Sequence, residues 1–176
     1  MVRIRLILTL CCSFISIAAL QAQPLYVGEF NIRNDNAKDA AAGNGWAVRC
    51  PVVCDILKVE SFDIFGTQEV LHNQLEDMLA ALPDYDYIGV GRNDGKTSGE
   101  YAAIFYKTDR VKCLSSGHFW LSETPEVVGS KGWDAKYPRI CTWGSSRTSG
   151  EERSSGCSTC IWITEESRPA SSLLFS

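Results

Sequence analysis

Two polar side chains stand at the ends of apolar segments, where they could hold a metal ion. Asn31 lies near the end of the segment 25–32, and Glu69 follows the segment 62–67. Taken singly, an asparagine or glutamate at such a position is usually a turn or solvent residue. Taken together, an amide oxygen and a carboxylate are the hard oxygen ligands that Mg²⁺ prefers. The pair therefore predicts a metal site.

The pattern around these residues predicts the elements that position them. Residues 25–32 alternate and are rich in large apolar side chains, and residues 62–67 form a short apolar run, so both are predicted strands. A polar loop is predicted at 33–45. Helical spacing at 46–60 and 71–82 predicts two helices, the second ended by a proline.

The rest of the body predicts more strands. Apolar segments at 85–90, 101–106 and 111–121 are typical of strands, and the Gly/Asn/Asp/Ser-rich stretch 91–99 is typical of a turn region. Strand, helix, strand, helix and then several strands is a mixed α/β order.

Three motifs in this order resemble the endonuclease/exonuclease/phosphatase superfamily. They are Phe-Asn-Ile-Arg, Asp-Ile-Phe-Gly-Thr-Gln-Glu and Gly-Glu-Tyr-Ala-Ala-Ile-Phe-Tyr-Lys, followed by Phe-Trp-Leu-Ser-Glu-Thr-Pro and Gly-Trp-Asp. The resemblance covers residues 25–144. It implies the N-terminal half of a two-sheet sandwich flanked by helices, of the deoxyribonuclease type. It also implies hydrolysis of phosphate esters that depends on Mg²⁺ or Mn²⁺.

The resemblance assigns roles to matched positions. Asn31 and Glu69 would bind the metal and act in catalysis, and Glu100 would support a catalytic histidine. Arg33 and Tyr101 would contact the substrate. A solvated loop arginine and a strand-packing tyrosine are the alternatives for the last two.

The family's remaining motifs do not occur in the sequence. These are the Asn-x-His-x-Asp-His, Gly-Asp-x-Asn and Ser-Asp-His segments, and the two histidines present, His72 and His118, match no catalytic position. We therefore expect the chain as written to be inactive and poorly stable. The alternative function is a non-catalytic exported binding protein on the same scaffold.

Residues 1–22 are typical of a signal peptide. Arg3 and Arg5 precede an apolar run from Leu6 to Leu20, and Ala22 is a small residue suited to cleavage. A membrane anchor is the alternative, but the run is shorter than the roughly 20 residues of a membrane span. A secreted or periplasmic protein with no stable membrane span is expected.

Residues 145–176 differ in character from the predicted domain at 23–144. They are rich in Ser, Arg and Glu, which favours a disordered tail, and Cys157 and Cys160 are only half of a zinc site. Shifting the reading frame offers a third interpretation. Codons for 156–170 can then encode Leu-Phe-Asn-Leu-His-Met-Asp-His-Arg-Gly-Val-Glu-Ala-Arg, which resembles the missing histidine motif. We therefore predict a frameshift after about Gly144.

Composition limits the partners. A net charge of −4 and 45% hydrophobic residues suit one globular domain, expected to be a monomer, without a sequence-wide basic surface. The candidate substrates are a phosphorylated small molecule, a phospholipid headgroup or a nucleic acid, and the charge disfavours long nucleic acids.

Overall fold

A computed structural model describes residues 24–148 and the backbone of the strand at 159–164. The predicted mixed α/β architecture with two sheets is confirmed. The elements in chain order are β1 Val27–Asn31, α1 Ala37–Ala41, α2 Trp46–Glu60, β2 Ile64–Val70, α3 His72–Ala81, β3 Tyr85–Ile88, β4 Tyr101–Lys107, β5 Val111–Trp120, β6 Ile140–Thr148 and β7 Thr159–Thr164.

The first sheet has the strand order β1-β2-β4-β3, with β1 and β2 parallel and the other pairs antiparallel. Its central strand β4 is buried on both faces from Tyr101 to Phe105. The second sheet has the order β5-β6-β7 and is antiparallel throughout. Because β1 and β2 run in the same direction, their carboxyl ends lie at one edge of the first sheet.

Two apolar clusters hold these layers together. One face of the first sheet packs on α2 and α3, with Phe65 and Phe105 stacked at a ring-centroid distance of 4.9 Å. The other face packs on the second sheet through Ile104, Trp120 and Ile140. Alternate residues of β2 and β4 thus enter different clusters, as the two-residue period of a strand requires. The first sheet, whose strands carry the candidate site, is therefore packed between the helices on one face and the second sheet on the other.

The predicted loop at 33–45 contains a short helix that the sequence analysis did not predict. Asn36 begins α1 by accepting a hydrogen bond from the backbone N–H of Asp39 at 2.9 Å. An asparagine followed three residues later by an acidic side chain is a helix-start signal, but five residues are too few to show a helical period.

The structure describes two stretches of the predicted tail at 145–176, and both are strand. Strand β6 continues past Gly144 to Thr148 because its backbone pairs with β5 as far as Val111. Residues 159–164 form β7, which pairs antiparallel with β6. Strand β6 thus crosses the predicted boundary at residue 144, while the division into domain and tail stays a prediction. The frameshift is a property of the coding DNA and stays a prediction.

Other sequence predictions fall partly outside this part of the chain. The predicted signal peptide at 1–22 lies outside the described residues. Within the described ranges, no helix has the length and apolar character needed to cross a bilayer. Cys50 and Cys54 share one face of α2 as free thiols, with their Sγ atoms 3.9 Å apart and Cys54 buried.

Candidate functional site

Asn31 and Glu69 meet where β1 and β2 end. The parallel register sets Asn31 opposite Gln68, which places the next residue, Glu69, beside the Asn31 side chain. Asn31 Nδ2 donates a hydrogen bond to Glu69 Oε1 at 3.0 Å. The structure thus brings together the two residues that the sequence predicted as metal ligands.

A backbone irregularity directs the Glu69 side chain. The β2–β4 register shifts between Thr67 and Val70, and Glu69 within this bulge has a left-handed φ of 61°. Such a conformation is uncommon for a residue other than glycine, and bulges often re-aim a side chain beside an active site. Glu69 therefore leaves the strict alternation of β2 and points its carboxylate toward the end of β1.

The segment that follows β1 wraps around the same carboxylate. Arg33 has a left-handed φ of 59°, and its backbone N–H donates to Asn31 Oδ1 at 2.9 Å. The backbone N–H of Asn34 then donates to Glu69 Oε2 at 3.3 Å. Each oxygen of the Glu69 carboxylate thus accepts a hydrogen bond from an uncharged donor.

Asn34 also connects this carboxylate to Glu100. Its Nδ2 donates to Glu100 Oε1 at 2.5 Å, and the other Glu100 oxygen lies 2.6 Å from Arg92 Nη1. The side chains of Arg92 and Glu100 are only 9% and 15% exposed, so water screens this ion pair weakly. Glu100 is therefore held at the site, while the sequence analysis did not identify Asn34 or Arg92.

Gln74, at the start of α3, holds the loop after β1 in place, and its role was not predicted from the sequence. This side chain is completely buried. Its Oε1 accepts from the backbone N–H groups of Asp35 at 3.0 Å and Leu71 at 3.1 Å, and its Nε2 donates to Arg33 O at 3.0 Å. A glutamine at the third position of a predicted helix is half of a capping box, and that signal could have identified it.

Arg49 holds the same loop from α2. Its Nη1 donates to Ile32 O at 2.5 Å, and its Nη2 donates to the backbone oxygens of Arg33 and Asn34, both at 3.1 Å. Three consecutive carbonyl groups thus point away from the site and into a guanidinium. The N–H groups of the first two of these peptides donate to Asn31 and Glu69, and that of the third donates to Gln74.

Arg33, predicted to contact substrate, forms a two-point ion pair with Asp39. Its Nε and Nη2 both donate to the Asp39 carboxylate, the second at 2.7 Å. The Arg33 hydrogen bond, followed by that of Asn36, holds the pKa of Asp39 far below its usual range. The Arg33 side chain is still 61% exposed, so part of its donor set faces solvent.

Tyr101, also predicted to contact substrate, is buried in the structure. Its side chain is 1% exposed, and its hydroxyl donates to Lys96 O at 2.9 Å and lies 3.1 Å from His72 Nδ1. Burial raises its pKa to about 12. This placement corresponds to the packing alternative rather than to a surface that meets substrate.

The donor set at Glu69 fits a divalent cation that keeps most of its water. Mg²⁺ is commonly bound through one or two carboxylates, with water and substrate phosphate completing six ligands. Glu69 is partly exposed, and no lysine or arginine of residues 24–148 forms an ion pair with it. Across those same residues, no three His, Cys, Asp or Glu side chains form a metal-binding group. The protein would thus contribute a single carboxylate and the neighbouring Asn31 amide.

Comparison with known proteins places this arrangement in a structural class. No family model and no curated protein sequence matches the chain. Among solved structures, an endonuclease/exonuclease/phosphatase family protein from Bacteroides thetaiotaomicron is 50% identical over 78% of this chain, with a TM-score of 0.72. The mannosyl-6-phosphatase Bt3783 of the same organism is 50% identical over 79% of the chain, with a TM-score of 0.74.

A third similar structure supports the same class. It is an endonuclease/exonuclease/phosphatase from Bacteroides vulgatus, 46% identical over 80% of this chain with a TM-score of 0.74. The chain spans 49%, 50% and 51% of the lengths of these three proteins, about half of each. The fold is thus that of the two-sheet phosphoesterase class. The chain belongs to the endonuclease/exonuclease/phosphatase superfamily.

Proposed function

We propose that this chain supplies the divalent-metal-binding half of an exported phosphoester hydrolase. The observation that carries the proposal is the hydrogen-bonded group Asn31–Glu69–Asn34–Glu100 at the joint end of β1 and β2. Two carboxylates and two amides converge there, from strand ends and from the loop after β1, and this is chemistry suited to a cation and a phosphate.

Glu69 would hold Mg²⁺ or Mn²⁺, with Asn31 beside it. A bound divalent ion would polarise a phosphoryl oxygen and stabilise negative charge on the leaving oxygen. The hydrogen bonds from Asn31 and Asn34 fix the orientation of the Glu69 carboxylate. Because these donors are neutral, they leave the carboxylate its full charge for the metal.

Arg33 would contribute to phosphate binding. A guanidinium has five N–H donors, and the bonds from Nε and Nη2 to Asp39 account for two of them. The remaining donors lie on a side chain that is 61% exposed. Asp39 would therefore set the orientation of Arg33 while its outer edge meets phosphate oxygens.

A phosphorylated small molecule is the substrate class that we favour over a phospholipid headgroup or a nucleic acid. One similar structure, 50% identical to this chain, is a mannosyl-6-phosphatase. The net charge of −4 also gives little attraction for a long polyanion.

We expect this chain alone to bind rather than to hydrolyse. Water activation in a phosphoesterase needs a general base, most often histidine, and the sequence has only two histidines. His72 contacts the Tyr101 hydroxyl, and His118 lies in β5 with its ring against Trp120. Neither is bonded to Glu69 or Glu100 in the described structure. The alternative function, a binding protein without turnover, therefore uses the same scaffold and lacks only the hydrolysis step.

Export and a monomeric state complete the proposal. Residues 1–22 have the composition of a signal peptide, which supports a secreted or periplasmic location. Expression with residues 1–22 and analysis of the mature N-terminus would test export, and sedimentation would test the monomer.

The test of the function compares turnover with binding. The full chain is incubated with mannose 6-phosphate, a phosphodiester and a short DNA, each with Mg²⁺, Mn²⁺ or a chelator. We expect no phosphate release above background, but chelator-sensitive binding of mannose 6-phosphate. Chelator-sensitive hydrolysis would contradict the binding-only expectation, and binding that is indifferent to metal would contradict the metal site.

A further inference from the structure

The loop between β5 and β6 carries two exposed aromatic side chains, one of which contacts the candidate site through Arg92. Tyr137 is 48% exposed and Trp133 is 75% exposed. Large aromatic side chains have much apolar surface, so removing them from water into a core or an interface is favourable. Two such side chains on one loop therefore call for an explanation by function.

Contacts connect Tyr137 to the group at Glu69. The Arg92 guanidinium lies 5.5 Å from the centre of the Tyr137 ring, and Arg92 Nη1 is 2.6 Å from Glu100. Glu100 in turn accepts a bond from Asn34, whose backbone donates to Glu69. The Arg92 guanidinium therefore lies between the Tyr137 ring and Glu100, at the edge of the proposed phosphate site.

The loop base is anchored while Trp133 is held outward. A Cβ on Gly132 would come within 2.5 Å of Ser122 Cα, so only glycine permits this close packing against the end of β5. The next residue, Trp133, has a left-handed φ of 54°. That conformation is a genuine outlier for a bulky side chain, and such strain concentrates at functional sites.

We propose that Trp133 and Tyr137 form the surface that recognises the organic group of the phosphoester, and that this group is a sugar ring. The proposal rests on the proposed function. A pyranose presents a face of C–H bonds that packs on an aromatic ring, and its hydroxyl groups stay in water at an open surface. Lys136, whose Nζ is 5.2 Å from the Tyr137 ring centre, adds a positive charge beside that surface.

The experiment measures binding of mannose 6-phosphate, inorganic phosphate and adenosine monophosphate to the full chain by calorimetry with Mn²⁺ present. The variants are Trp133→Ala and Tyr137→Ala. Tyr26→Ala is the matched control, because Tyr26 is 52% exposed and precedes β1 at the end opposite the site. Trp133→Phe and Tyr137→Phe keep a flat ring and serve if either alanine variant unfolds.

Each alanine variant should weaken mannose 6-phosphate binding by about 3- to 10-fold, the effect of losing one ring contact. Inorganic phosphate should bind all variants equally, and the phenylalanine variants should stay within about 2-fold of the original chain. Equal losses for both ligands, or no loss for either, would overturn the proposal.

Two further results would count against the inference in different ways. Adenosine monophosphate that binds tighter than mannose 6-phosphate, with the larger loss in the variants, would replace a sugar with a base as the recognised group. If mannose 6-phosphate binds no better than inorganic phosphate, no surface of the chain recognises the sugar ring. A separate Mn²⁺ titration shows whether the proposed function has failed as well, because metal binding at Glu69 does not need either ring.

Discussion

Replacing Gln74 with leucine should destabilise the fold by about 3 kcal/mol, at about 1 kcal/mol for each of three hydrogen bonds lost. The side chain is completely buried, and it bonds the backbone groups of Asp35, Leu71 and Arg33. Leucine has a similar volume, so the packing change should contribute little. The cost comes mainly from the backbone N–H groups of Asp35 and Leu71, which lose their acceptor, whereas Arg33 O keeps its hydrogen bond from Arg49.

Urea unfolding of the Gln74→Leu variant, followed by circular dichroism, measures this loss. Gln68→Leu is the matched control because Gln68 is only partly buried and bonds to Glu29 at an exposed position. The control should change the free energy of unfolding by less than about 1 kcal/mol. The Gln74 variant should also bind Mn²⁺ more weakly, because the loop that positions Asn34 is released. A loss of stability below about 1 kcal/mol would refute the positioning role.

Two further perturbations test the packing and the ionisation around the site. Thr142→Val should be neutral or stabilising by up to about 1 kcal/mol, since the buried Thr142 hydroxyl has no partner among the described residues. Thr67→Val should cost about 1 kcal/mol, because it removes the 3.1 Å hydrogen bond to Ala103 O. Thermal unfolding that ranks the two variants the other way would contradict the hydrogen-bond assignment. Burial alone would raise the pKa of Asp63, but the Arg110 ion pair at 3.0 Å and the hydrogen bond from the Tyr26 N–H together outweigh it, so the pKa is lowered. A lowered carboxylate pKa contributes stability above the unfolded-state value of about 3.9, and this is lost as the pH falls below it. Urea unfolding between pH 6 and pH 3 should therefore show a steeper loss for the original chain than for Asp63→Asn, and parallel curves would count against the ion pair.

Much of the architecture could be predicted because the signals are local. The alternation of apolar residues in β1 and the helical spacing in α2 and α3 gave the order of elements, and α2 spans the predicted residues 46–60. Short elements with no period escaped prediction, as α1 did. The extent of β6 and the strand β7 depend on pairing between distant segments, which composition does not reveal.

The site divides in the same way. Asn31 and Glu69 were predictable because they end two apolar strands and match family motifs, and the structure confirms that they lie together at 3.0 Å. The capping position of Gln74 is readable from the sequence, but its bond to Arg33 O is not, because the two residues lie 41 positions apart. The Arg92–Glu100 pair has no repeating pattern or motif that would mark it in the sequence. Tyr101 shows the opposite limit, since its motif position does not reveal that its side chain is 1% exposed.

Mn²⁺ binding tests the central claim most directly, because the proposed site depends on one carboxylate. Electron paramagnetic resonance of free Mn²⁺ during titration gives the affinity of the full chain and of Glu69→Gln. Glu60→Gln is the control, an exposed carboxylate at the end of α2 that accepts a hydrogen bond from the Tyr26 hydroxyl. We predict that Glu69→Gln weakens Mn²⁺ binding by about 10- to 100-fold, as expected when the metal-ligating charge is lost, while Glu60→Gln leaves it unchanged. Equal affinities for all three chains would contradict the metal site.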